Sequence, residues 1–382
     1  MSCRRAVVRW LSALVMSGVL AAHGGAGHAA GGNGPQCGGD RGPTSTSGEP
    51  QRSRAFSSFA LTEDGARFAV TVDDGSWSGL FVYDVASGKL LWQRMLSGPA
   101  SAIALSANGD ALALAYAVRP LGCPHVELFD GDGRARPLED RAKLSNIVND
   151  SARSVVFAPG GTLVVASLDN EIRAWDVSSG RNAIAIEPPG IESAPGIEPV
   201  EELAFSPDGS RLAGGSARRP AVYVWDARTG QLERALSLRK FSGSFGSIAF
   251  NRDGSLIAVG STGPIALWNA RTGTAMGEIV KPAAGPIGPV GFLGEGKLVV
   301  NGPSKLELWD VSRRPIARDV HWRGGEASVD TAFIVRSGVI GVVADASSWA
   351  SEPGRPGRAK LLAAGTNATI ANFEIPGRPA TP

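Results

Sequence analysis

Residues Gly291 to Lys297 read Gly-x-x-x-x-Gly-Lys, the spacing of a loop whose backbone N–H groups cradle phosphates. Such a loop needs a Ser or Thr next to hold magnesium, and Leu298 stands there instead. It must also join a strand to a helix, whereas this stretch has the composition of a hairpin turn. Asp130-Gly131-Asp132-Gly133 could suggest calcium. Arg134 occupies the place of a third acidic ligand, and no glutamate follows at the required distance, so the stretch reads as an ordinary turn. Asp73-Asp74-Gly75 earns the same reading. His125 and His321 lack the Cys, His or Asp spacing of a zinc site and read as surface or internally satisfied polar residues. No Gly-x-Ser-x-Gly nucleophile elbow occurs. Carboxylates are many, but most sit in turns, and no acid/base pair stands out. The sequence nominates no catalytic, cofactor-binding or metal-binding residue, and no cofactor is expected.

The elements around these residues follow from composition. The chain has 382 residues, 43% of them hydrophobic, enough for a large core and too apolar for a disordered chain. Fifty glycines, 25 prolines and nine tryptophans point to many short strands and turns rather than long helices. A formal charge of +2 is too small for a nucleic-acid footprint.

One phrase recurs: an apolar strand, a polar-Gly turn, and a second apolar strand. Ala60-Leu61-Thr62-Glu63-Asp64-Gly65 leads into Arg67-Phe68-Ala69-Val70, and Ala204-Phe205-Ser206-Pro207-Asp208-Gly209 leads into Arg211-Leu212-Ala213. The turn glycines fall at 65, 109, 161, 209, 254 and 296. Asn-Gly or Asp-Gly between apolar runs marks a tight hairpin, because its turn needs positive φ. A second phrase follows each hairpin, an apolar strand ending in an aromatic and then Asp or Asn. The pairs are Tyr83-Asp84, Phe129-Asp130, Trp175-Asp176, Trp225-Asp226, Trp268-Asn269 and Trp309-Asp310. In the first five copies a glycine follows within four positions, and a further strand such as Leu90-Leu91-Trp92 comes next. The aspartate accepts turn amides while the glycine takes the left-handed position. The aromatics are expected to fill the space between stacked units.

Four short strands in 40–50 residues is the period of a propeller blade, so the expected fold is an all-β propeller of four-stranded blades. These residues resemble the WD-repeat β-propeller family over roughly residues 55–376. The Trp-Asp dipeptide stands at 175–176, 225–226 and 309–310, and the family's Ser-Pro-Asp-Gly turn is intact at 206–209. The Gly-His dipeptide that opens many such repeats is absent, which excludes the family's histidine-containing hydrogen-bond tetrad and points to divergent, often bacterial relatives. Six units are clear, and segments 331–335, 339–343, 360–364 and 369–373 supply a seventh. Seven blades are expected, with six or eight as alternatives. Asp84 to Trp92 resembles the Asp-x-x-x-Gly-Lys-x-x-Trp docking motif of quinoprotein propellers, but only this unit carries it well, which argues against a quinoprotein enzyme.

Residues 1–30 read as an export signal. Arg4, Arg5 and Arg9 precede a mostly apolar run from Trp10 to Ala22, too short to span a bilayer, and small residues offer cleavage between Ala26 and Ala30. Cys3 to Arg9 resembles a twin-arginine signal, although Cys3 and Val7 depart from its pattern. The general secretory route and an uncleaved anchor are the alternatives. Cleavage would remove three arginines and take the formal charge from +2 to −1. Cys37 and Cys123 would remain, and in an oxidising compartment they could pair or stand as separate thiols. Residues 31–54 read as a Gly/Ser/Pro-rich linker or arm that helps close the ring, and 377–382 as a flexible tail. Between units, Pro189-Gly190-Ile191-Glu192 recurs at 195–198 in what reads as a long surface loop.

The resulting expectation is a non-catalytic, exported, periplasmic or extracellular propeller. It would be a monomeric interaction scaffold binding an unknown protein partner through its loops or top face, with no nucleic acid and no membrane span in the mature chain. The alternatives are a propeller enzyme, hydrolase or quinoprotein-like, with a central-channel site, and a small-ligand or glycan binder.

Overall fold

The computed structural model describes residues 55–73, 77–116, 126–139, 152–168, 171–186, 200–216, 221–238, 245–261, 264–279, 290–301, 306–313, 316–318, 335–336, 339–344, 357–363 and 368–376. The export segment, the 31–54 arm, the Pro-Gly-Ile-Glu loop, the C-terminal tail, Cys37, Cys123, His125 and His321 lie outside them. Among the described residues, 28 strands form seven four-stranded antiparallel sheets. In each, the strands lie side by side in chain order. We number the sheets 1 to 7, spanning 55–96, 100–136, 152–186, 202–237, 245–279, 290–318 and 335–375.

The position of a strand in its sheet decides its pattern. The second strand of sheet 2, Ala111–Tyr116, is buried at every position, because a neighbouring sheet covers each face. The fourth strand of sheet 1, Leu90–Leu96, is mostly exposed. Middle strands therefore read as continuous apolar runs, and outer strands as mixed ones.

Consecutive sheets pack face to face. Leu80 and Val82 of sheet 1 share a core with Leu112, Leu114 and Phe129 of sheet 2, and comparable clusters join sheets 2 to 3, 3 to 4, 4 to 5 and 5 to 6. The first strands of sheets 6 and 7 also contact each other. Phe68 and Tyr83 of sheet 1 meet Phe373 of sheet 7, with ring centroids 4.9 and 5.0 Å apart, so the last sheet packs on the first. Burying one such side chain stabilises by roughly 1.5–3 kcal/mol, which makes inter-sheet packing the main force holding the sheets together.

Candidate functional site

In sheets 1 to 6 the first strand lies innermost. These strands surround a central cavity of about 1130 Å³. Registers align their positions, since Leu61, Leu105, Phe157, Phe205, Phe250 and Phe292 each pair with the start of the second strand. One residue earlier the wall is small, with Ala60, Ala104, Val156, Ala204, Ala249 and Gly291. Beyond the aromatic layer, the hairpin turns place Glu63, Pro159, Pro207, Arg252 and Gly294 at one mouth. Two of these turns bond the next sheet directly: Glu63 N–H donates to the Ala107 carbonyl at 3.0 Å and Arg252 N–H to that of Gly294 at 3.4 Å.

Toward the opposite mouth, side chains bridge adjacent inner strands. Ser101 Oγ donates to the Ala152 carbonyl at 2.6 Å. Ser154 Oγ accepts the Leu203 N–H at 3.2 Å, and Ser247 Oγ accepts that of Val290 at 2.8 Å. Ser154 and Ser247 stand three residues before the aromatic layer, and Glu202 holds that position in sheet 4. Among the described lining residues only Glu63, Glu202 and Arg252 are ionisable, and Glu202 alone lies away from the turn mouth. It is half-buried, and desolvation by the channel walls pushes its pKa up to about 8. Neighbouring Glu201 is also raised by desolvation, opposed by the charge of Arg153. Sequence reasoning missed Glu202, although the contrast with the equivalent serines was there to be seen once the repeats were aligned.

The aromatics singled out in the sequence take up inter-sheet positions. Tyr83, Phe129, Trp175, Trp225 and Trp268 are buried. Trp309 is half-buried against the cluster between sheets 5 and 6, and its Nε1–H donates to Glu307. The turn residues act locally. Asp84, Asp176, Asp226 and Asn269 each accept the N–H three residues on at 2.8 Å. Asp130 and Asp310 accept the N–H two residues on, at 3.0 and 3.1 Å. Asp130 also accepts the Arg134 N–H at 2.8 Å, so Asp130 to Gly133 is a self-satisfied turn. Gly291 to Lys297 lies in a hairpin between two strands of sheet 6, and the Lys297 ammonium pairs with Asp310 at 3.3 Å. Among the described residues, no three His, Cys, Asp or Glu side chains gather as a metal site.

The quinoprotein-like motif does form one clasp. Trp92 Nε1–H donates to the Gly131 carbonyl of sheet 2 at 3.1 Å, and its ring packs on Phe129. Arg94 lies over Phe129, 5.0 Å from the ring centroid. Arg67 reaches the same turn, donating to the carbonyls of Gly109 and Gly131 at 2.7 and 3.2 Å.

Four-stranded sheets packed in sequence around a central cavity define a β-propeller. The fold is similar to the crystal structure of the Cps50 (Swd1) β-propeller domain of Myceliophteria thermophila, with TM-score 0.53 and 15% identity, covering 67% of this chain and 84% of that one. The family described as WD domain, G-beta repeat matches residues 145–176. WD repeat and SOCS box-containing protein 1 is similar over 130 residues, 31% identical in Mus musculus and 29% in Homo sapiens. These matches cover 33% of this chain, and the chain spans 29% of the length of each relative. The chain is a β-propeller that is similar in part to WD-repeat proteins. No helix among the described residues is long and apolar enough to cross a membrane.

Proposed function

We propose that this propeller is a non-catalytic, exported scaffold that holds a protein partner on its loops. WD-repeat propellers commonly serve as protein-interaction scaffolds. The observation that carries the reading for this chain is the set of clasps between sheets. Trp92 to Gly131, Arg67 to Gly109 and Gly131, and the Asn251 amide to the Glu295 carbonyl at 3.0 Å fix the turns of one sheet against those of the next. A surface held this way loses little conformational freedom on binding, so contact energy goes into affinity. The export part rests on Arg4, Arg5 and Arg9 ahead of the apolar run Trp10–Ala22.

The test is native mass spectrometry of the chain purified gently from the producing cell. A second polypeptide in fixed ratio, on a chain beginning between residues 27 and 31, is expected. A chain that carries no polypeptide, or that retains Met1 in the cytoplasm, overturns the corresponding half of the proposal.

A further inference from the structure

The channel holds a feature that scaffolding does not use. Ser154 and Ser247 satisfy the inner edge of the next sheet with a short hydroxyl, whereas sheet 4 places Glu202 at that position. A serine would suffice for the structural role. A carboxyl adds length and a charge that the surrounding walls disfavour. Around it the neighbouring side chains are apolar, with Val156, Ala204 and Ala249 lining the cavity, and the half-buried rings of Phe205 and Phe250 lie one layer further along. The volume of about 1130 Å³ is of the order that admits a small organic molecule.

We propose that the channel binds a small organic monocation, an ammonium or guanidinium group on an apolar body, with Glu202 as its counter-charge. The charge picks the cation, and the phenyl rings add cation–π attraction and apolar burial. The charged groups facing this end of the channel fit that assignment. The Arg153 charge acts on Glu201, and burial against the channel walls raises Glu202. The inner strand of sheet 5 presents Ser247 there, and sheet 4 backs Glu202 with Gly215. Glu63 and Arg252 stand at the far mouth. This inference goes beyond the scaffold reading, and its failure would leave that reading untouched.

Binding must ionise Glu202, so it is linked to pH. With the free carboxyl titrating at about 8, affinity for a cation falls by up to about tenfold per pH unit below that value. The experiment is calorimetric titration of the full chain with phenethylammonium, the neutral isostere phenethyl alcohol and the anion 3-phenylpropionate. A peptide with one blocked lysine distinguishes a free amine from a partner's side chain. Phenethylammonium is expected to bind at least tenfold more tightly than the alcohol at pH 8, and more weakly at pH 6. Glu202→Gln, which keeps the shape, should abolish both the preference and the pH dependence. Glu202→Ser, the residue of sheets 3 and 5, provides a second variant with the same expected loss. Equal binding of cation and alcohol, no binding of any probe, binding of the peptide alone, or an unchanged preference in folded Glu202→Gln overturns the proposal.

Discussion

The hydroxyl of Tyr83 donates a 2.8 Å hydrogen bond to the backbone carbonyl of Glu374, joining residues 291 apart in sequence. This bond crosses the junction of sheet 1 with sheet 7. Every described strand of sheet 1 comes from residues 55–96 and every one of sheet 7 from 335–375, so no strand is exchanged between the chain ends there. Among the described residues, side-chain packing and this bond join the two sheets. Tyr83→Phe is expected to cost about 1 kcal/mol, one net hydrogen bond. Phe373→Ala should cost roughly 3–5 kcal/mol, because it empties the space between the Phe68 and Tyr83 rings. Urea midpoints followed by tryptophan fluorescence would check both. Equal effects of the two substitutions would show that packing is not what closes the junction.

Trp92 makes a similar statement about sheets 1 and 2. Trp92→Phe keeps a ring against Phe129 and loses the bond to Gly131, for an expected cost of about 1 kcal/mol. Trp92→Ala also removes the ring, and roughly 3 kcal/mol is expected. Thermal unfolding of the two variants would separate bond from packing. An alanine variant as stable as wild type would mean the clasp contributes nothing.

Glycines in the turns differ in what a methyl group would meet. Gly160 has φ of +89° and open space around it, so Gly160→Ala carries only the backbone cost of about 1–2 kcal/mol. At Gly230, φ is +73° and an added Cβ would run into the backbone carbonyl of Ala185 in sheet 3. Gly230→Ala must therefore shift one sheet against another, and a loss of more than about 2 kcal/mol is expected. Equal losses at the two positions in chemical denaturation would refute the inter-sheet contact.

The repeat was legible because turn chemistry is local. Asp84 with Gly88, or Asp226 with Gly230, needs only neighbouring atoms to form, so residue type and spacing reveal it. The inter-sheet aromatics were legible for a related reason, since each immediately precedes a turn aspartate or asparagine. What the sequence could not display was the channel. Glu202 looks like an ordinary strand residue beside Glu201, and only registration of the first strands puts it level with Ser154 and Ser247. Trp92 was legible as a docking motif, but its acceptor, the Gly131 carbonyl, lies 39 residues away in another sheet.

Two carboxyls should tilt the stability profile in opposite directions. Hydroxyls of Ser178 and Ser179 and the Ser179 N–H hold Asp176 at a pKa of about 2, below the ordinary aspartate value. A depressed folded pKa gives stability that is present above pH 4 and is lost as the pH falls toward 2. Glu202 is raised to about 8, so the folded state is penalised progressively as the pH climbs from the ordinary glutamate value toward 8. Asp176→Asn should keep the turn, since Asn269 already accepts the Thr272 N–H at 2.8 Å in sheet 5, and should flatten the acid limb. Glu202→Gln should leave the acid limb alone and raise stability at pH 8 relative to wild type, by an expected 1–3 kcal/mol, on the order of a desolvated polar group's penalty. Urea midpoints of the three proteins from pH 2 to pH 9 supply the check. Parallel profiles would show that neither carboxyl feels the environment described, and the cation site at Glu202 would lose its electrostatic basis with them.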